Sequence, residues 1–183
     1  MDAYVYLQIA PGTMNGVLAG LASSSQVRRA IPVIGAWDVM VHAEGPDLAT
    51  IAIQVLSGIH HVPGVLRTMT APVVPPDRID AQGWGASRAP AMIGDACYVH
   101  IKAEAGAAGG IAERLGEISN VSGTAVLGGG YDLLACVPQP WEAASAVILE
   151  EIQPLPGVIS TDTLISIAYE EPDEDRDQFS AWT

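Results

Sequence analysis

Positive charge is scarce in this chain. Its 183 residues hold 8 Lys+Arg against 21 Asp+Glu, a formal charge of −13. Binding a phosphate backbone needs clustered Lys and Arg, so this balance argues against nucleic acid as a direct partner. Cysteine is scarce as well, and two in a chain of this length do not make a disulfide framework. Gly, Pro or charge interrupts every apolar run well before the ~20 residues a membrane span requires. No basic stretch leads into an apolar one at the N-terminus, so no signal peptide is expected and the cytoplasm is the expected location. His60 and His61 are adjacent and have no third ligand at a zinc spacing, so no metal site is expected. No nucleophile motif, phosphate loop or dinucleotide fingerprint is present, and no cofactor is expected.

Apolar residues, in contrast, are plentiful. They make up 49% of the chain and charged residues only 16%, enough to build a sizeable core. The acidity is uneven. Residues 1–71 carry a net −1, residues 72–94 are neutral, residues 95–169 carry −7, and residues 170–183 carry −5. The tail from Glu170 to Asp177 reads as a solvated terminus, with Phe179 and Trp182 as its apolar exceptions.

The chain repeats itself. Ala3-Tyr4-Val5-Tyr6-Leu7-Gln8 aligns with Cys97-Tyr98-Val99-His100-Ile101-Lys102, and Gly35, Trp37 and Asp38 align with Gly129, Tyr131 and Asp132. Val62-Pro63-Gly64-Val65 aligns with Leu155-Pro156-Gly157-Val158 after the loss of one residue, which the periodicity puts in the loop at Glu44–Asp47. Each copy opens with an alternating strand. A helix follows, with Met14, Val17, Leu18 and Leu21, or Ala108, Ile111, Ala112 and Leu115, on one face. A strand hairpin comes next: Val27 to Ile34 and Trp37 to Ala43, or Val121 to Leu127 and Tyr131 to Val137. Then come a second helix and a last strand near Leu66–Val74 or Ile159–Tyr169.

The order is βαββαβ, twice: the split βαβ, ferredoxin-like unit. The expected organisation is a first repeat over 1–74, a linker over 75–94, a second repeat over 95–169 and an acidic tail over 170–183. Helices cover one face of each sheet, so the other face needs a cover. The second copy supplies it. The expected fold is therefore α+β, two ferredoxin-like units packed sheet to sheet as an intramolecular pseudo-dimer of the dimeric α/β-barrel type.

The Gly35-Ala36-Trp37-Asp38 and Gly129-Gly130-Tyr131-Asp132 hairpins, with the runs from Ile59 to Thr70 and Ile152 to Thr163, resemble the ligand-binding (RAM) domain of Lrp/AsnC regulators. The resemblance covers roughly residues 3–74 and 96–169. It implies a small effector, often an amino acid, bound near the Gly-x-Tyr-Asp hairpin, and assembly into homo-oligomers. Those regulators also carry a helix-turn-helix, for which there is no room before Ala3, so their DNA binding is not carried over.

Several residues admit two readings. Gly35 and Gly129 suit a tight hairpin, and the open N–H groups of such a turn can also meet a ligand carboxylate. Asp38 and Asp132 can cap the hairpin backbone or accept from a ligand ammonium. Thr68, Thr70, Thr161 and Thr163 are good strand residues whose hydroxyls can line an effector cleft. With Trp37 and Tyr131, and without Thr70, these make the candidate ligand set. Tyr4, Tyr6, Gln8, Met40 and His42, and Tyr98, His100, Lys102, Leu134 and Cys136, share the sheet face away from the helices. They suit a packed interface or a pocket. Cys97 and Cys136 are read on opposite faces and therefore as free thiols.

Three functions are consistent with this pattern. The first is a regulatory protein binding a small metabolite, acting through oligomerisation or a protein partner. The second is a cofactor-free enzyme working between the sheets, with Tyr6, His42, His100 or Asp132 as acid/base groups. The third is a purely structural assembly module.

Overall fold

A computed structural model describes residues 1–24, 27–75 and 89–168. The tail over 170–183 and most of the linker lie outside the described residues. The first half runs β1 (Asp2–Ile9), α1 (Met14–Ala22), β2 (Val27–Ile34), β3 (Val39–Glu44), α2 (Leu48–Ser57) and β4 (Val65–Pro72). The second runs β5 (Cys97–Ala103), α3 (Ala108–Glu117), β6 (Gly123–Val126), β7 (Leu133–Val137), α4 (Trp141–Ala146) and β8 (Val158–Ser166). Each half therefore has the expected βαββαβ order. Three details differ. Trp37 and Tyr131 fall in the hairpin turns, just ahead of β3 and β7. His60 and His61 form a short 3-10 turn. The helix begun by α4 widens into a π turn over Val147–Ile152.

Alternation sorts the strands as expected. Ala3, Val5 and Leu7 of β1 meet Val17, Leu21, Ile51 and Val55 of the helices in one core. Val99 and Ile101 of β5 meet Ile111, Leu115 and Ile148 in a second. The opposite faces form a third core between the sheets, with Tyr4, Tyr6, Met40, Tyr98, Leu134 and Cys136 fully buried. Cys97 belongs to the helix side and Cys136 to this inner core, and both are free thiols.

The two sheets also join, which side-chain periodicity does not foretell. All eight strands form one antiparallel sheet in the order β4-β1-β3-β2-β8-β5-β7-β6. β2 pairs with β8 through Val33↔Ser166 and Ile34↔Ile165. At the other side the outermost strands meet: Val73 bridges Leu127, and the Val74 N–H donates to the Val126 carbonyl. The sheet thus closes into a barrel. The last part of the linker fills one end of it. The Tyr4 hydroxyl donates to the Pro90 carbonyl, the Tyr98 hydroxyl bonds Ala91 and Ile93, and Met92 is buried in the inner core.

Each glycine hairpin packs on the last strand of the other half. A Cβ on Gly35 would come within 2.7 Å of Leu164 Cδ2 and 3.0 Å of the Thr163 carbonyl oxygen, at a φ of +148°. Gly129, at φ +117°, lies less tightly on the other half: a Cβ there would stand 3.7 Å from the Thr70 carbonyl oxygen, an ordinary contact. Among the described residues no helix is long and apolar enough to cross a membrane.

Gly35→Ala should therefore cost about 3 kcal/mol or more, since the contact is with backbone and a buried leucine. Gly12→Ala has nothing within 4 Å of the new methyl group at φ +81°, and should cost only about 1 kcal/mol from backbone strain. Urea unfolding of the two variants checks the difference; equal losses would contradict this packing.

Candidate functional site

The hairpin end of the barrel gathers aromatic and charged groups from both halves. At its floor, Tyr6 of β1 and His100 of β5 meet on the inner face. The Tyr6 hydroxyl lies 2.7 Å from His100 Nε2, and the rings stand edge to face with centroids 4.9 Å apart. His100 Nδ1 lies 3.3 Å from the main-chain carbonyl of Asp162. A carbonyl only accepts, so Nδ1 carries the proton, Nε2 accepts, and the tyrosine donates. Both groups are held neutral. Burial pushes the His100 imidazolium down to about 4, opposed only in part by Asp162. Burial also raises the Tyr6 phenol well above its usual range.

Above this floor stand the hairpin aromatics. Trp37 packs against Tyr6 at 6.1 Å and Tyr131 against His100 at 4.6 Å between centroids. The Tyr131 hydroxyl donates to Asp162 Oδ2 at 2.6 Å. Partial burial, then the Asp162 carboxylate, pushes this phenol up to about 12. At the rim, the exposed Arg67 guanidinium sits 5.4 Å over the Trp37 ring, a cation–π contact. Arg67 also borders a shallow recess of about 420 Å³ with His60 and Thr68.

The end of the barrel is thus graded. Its floor is neutral and 0–1% exposed, its walls are aromatic, and its rim brings the Arg67 guanidinium and the Asp162 carboxylate against them. Four residues singled out in sequence meet here: Tyr6, Trp37, His100 and Tyr131. The others lie elsewhere or are engaged with the backbone. Asp38 Oδ2 accepts from the Ile9 N–H and Asp132 Oδ2 from the Ala103 N–H, both at 2.9 Å. They pin the ends of β1 and β5 where each strand slips register against its neighbour. Thr68 bonds His60 and Thr161 bonds Gln153. The register pairs Thr68 with Leu7, Thr161 with Ile101 and Thr163 with Val99, whose side chains face the helices.

His42 stands apart from Tyr6 and His100. It pairs with Asp2 at 2.8 Å and stacks on Tyr4. The four alternative acid/base residues therefore do not form one cluster. Among the described residues no group of His, Cys, Asp and Glu could hold a metal ion.

Sequence reading missed Arg67 and Asp162. Alternation could have found Asp162, since it pairs with His100 across β5 and β8 and so shares its face. The threonines on either side drew the reading to the other face. Arg67 carries no such signal, because an exposed base on a strand is ordinary.

No protein-family model matches the chain and no curated protein does. Solved structures of low sequence identity share its fold, two of them over 90% or more of this chain. Siroheme decarboxylase NirDL is 9% identical with a TM-score of 0.68, over 92% of this chain and 71% of its own. A candidate monooxygenase from Lactobacillus acidophilus is 8% identical with a TM-score of 0.51, over 90% of this chain and 92% of its own. A transcriptional regulator of Neisseria meningitidis in complex with L-Met is 17% identical with a TM-score of 0.38, over 40% of this chain and 49% of its own.

The unfolded chain takes up a proton on this histidine near its ordinary value of 6.5, whereas the folded chain takes it up only at about 4. The stability from His100 is therefore complete above pH 6.5 and falls by ~3 kcal/mol as pH drops to 4. His100→Asn should lack this component of the pH profile. Tyr6→Phe should cost about 1–3 kcal/mol at neutral pH by leaving Nε2 buried without a donor. Chemical denaturation between pH 4 and 7 measures both; a parallel profile for His100→Asn would contradict the assignment.

Proposed function

We propose that this chain is a small-molecule-binding regulatory protein. In this reading its two halves are copies of one unit, and they hold an amino acid or a related metabolite at the hairpin end of the barrel. The observation that carries the reading is the rim. Arg67 from the first half and Asp162 from the second flank the Trp37 and Tyr131 rings. A guanidinium suits the carboxylate of an amino acid, a carboxylate suits its ammonium, and aromatic faces suit its side chain. Gly35 and Gly129, packed on the opposite half, and Asp38 and Asp132, bonded to strand ends, then serve the frame that holds this rim. The resemblance to the Lrp/AsnC effector domain points the same way.

The enzyme reading has less behind it. Tyr6 and His100 are 0% and 1% exposed and satisfy each other, so a substrate has no access to them without opening the barrel. Self-association belongs to the proposal as well. The first half is close to neutral, and its α2, which has no charged residue, exposes Leu48, Ile53 and Leu56. Light scattering with and without a bound effector tests this part.

Thermal unfolding in the presence of single L-amino acids tests binding. At least one should raise Tm by several degrees by mass action. Arg67→Ala and Asp162→Asn should each weaken that binding about tenfold or more by removing one charged partner, while leaving the ligand-free Tm nearly unchanged. No stabilisation by any amino acid, or undiminished binding by both variants, would refute the reading.

A further inference from the structure

The two seams that close the barrel match in the order of elements but are filled differently. At the β4–β6 seam, Ile118, which follows α3, and Val74 pack into the core of the second half. The positions that match them at the β2–β8 seam are Ser24 and Ile167. Ser24 is short and polar, and Ile167 is 38% exposed. Beside this seam lies a cavity of about 550 Å³, within the ~300–1,000 Å³ of ordinary ligand sites. Its apolar walls are Leu18 and Ala22 of α1, Val27 and Ile31 of β2, and Ile167.

Two groups in this cavity suit an anion. The first is Arg29, which lines it and is exposed. Among the described residues the adjacent Arg28 pairs with Glu44, whereas no carboxylate pairs with Arg29. Gly123 stands at the matching position of β6, so the other seam has no such charge. The second group is the Ala30 N–H. Within the hairpin the Val33 N–H donates to the Asp38 carbonyl, while the Pro32 carbonyl accepts from Ile167 on the other side. Alternation along an antiparallel strand turns Ala30 the same way as Pro32, into the cavity. β8 does not pair that far along β2, so this N–H has no ladder partner among the described residues. Ala30 is partly exposed, and water serves its carbonyl.

We infer that this cavity binds a small monocarboxylate with an apolar body, of the medium-chain fatty-acid type. The carboxylate accepts from the Arg29 guanidinium and the Ala30 N–H, which are charge-assisted bonds. The apolar body lies against Leu18, Val27, Ile31 and Ile167, where its burial is favourable. The walls come from both halves, so the ligand spans the seam and adds to its closure. The cavity shares no residue with the hairpin rim of Trp37, Arg67, Tyr131 and Asp162, so it is a second site, independent of binding there.

Octanoate is the probe, with octanol as its uncharged counterpart, on the full chain. In nitrogen-15 NMR, octanoate should shift the Ala30 amide, and it should raise Tm by mass action. Arg29→Ala should weaken octanoate binding about tenfold or more, and Ala22→Phe, which fills the cavity, should abolish it. Both residues are exposed, so the ligand-free Tm should hardly change. Arg67→Ala should bind octanoate as the parent does. No binding to the parent, equal affinity for octanol, or undiminished binding in either cavity variant would overturn the inference. Loss of binding in Arg67→Ala would overturn it too, because the carboxylate would then sit at the rim.

Discussion

The hydrogen bond between Tyr6 and His100 is the contact on which the inner architecture depends. The two residues are 94 apart and hold matching positions on the first strand of each half, and their different chemistry assigns the roles in the bond. Two tyrosines or two histidines in that closed space would also have to divide donor and acceptor roles between them. Here the phenol donates, the imidazole accepts, and the other ring nitrogen is anchored by the Asp162 carbonyl. A buried polar pair satisfied in this way fixes one packing of the sheets, whereas either group alone would be a burial penalty. At the opposite end, Tyr4 and Tyr98 solve the same problem with the backbone of residues 90–93.

Closure of the barrel follows from the need to cover both faces of each sheet. The helices cover the outer faces. The inner faces cover each other, and the seams join what would otherwise be edges. The glycine hairpins reach across these seams, so each half is completed by the other. The rim of Trp37, Arg67, Tyr131 and Asp162 is a product of that arrangement, because no single half contains both of its charges. The floor beneath it is filled and uncharged, which suits recognition at the mouth better than chemistry inside.

Much of this was legible in the sequence, for identifiable reasons. The twofold order of elements shows in the aligned strands and in the Pro-Gly turns at Pro63 and Pro156. Alternation sorts Tyr4, Tyr6, Tyr98 and His100 to the inner face, because that face is buried and a slip of one residue would expose it. The seams were not legible. They rest on backbone bonds of Pro32, Val74 and Ile167, which leave no trace in side-chain periodicity. The roles of Asp38 and Asp132 were only half legible: turn chemistry offered a backbone cap, but the accepted N–H groups come from strands 29 residues away. The threonines at 68, 161 and 163 misdirected the site because their spacing marks a strand face without saying which one.

Nitrogen-15 NMR of the His100 imidazole, followed with pH, tests the central claim that the barrel closes around a dry, neutral Tyr6–His100 bond. The account predicts a single neutral tautomer with the proton on Nδ1, unchanged down to pH 5. An imidazole that titrates near its ordinary value of 6.5, or one protonated on Nε2, would contradict it.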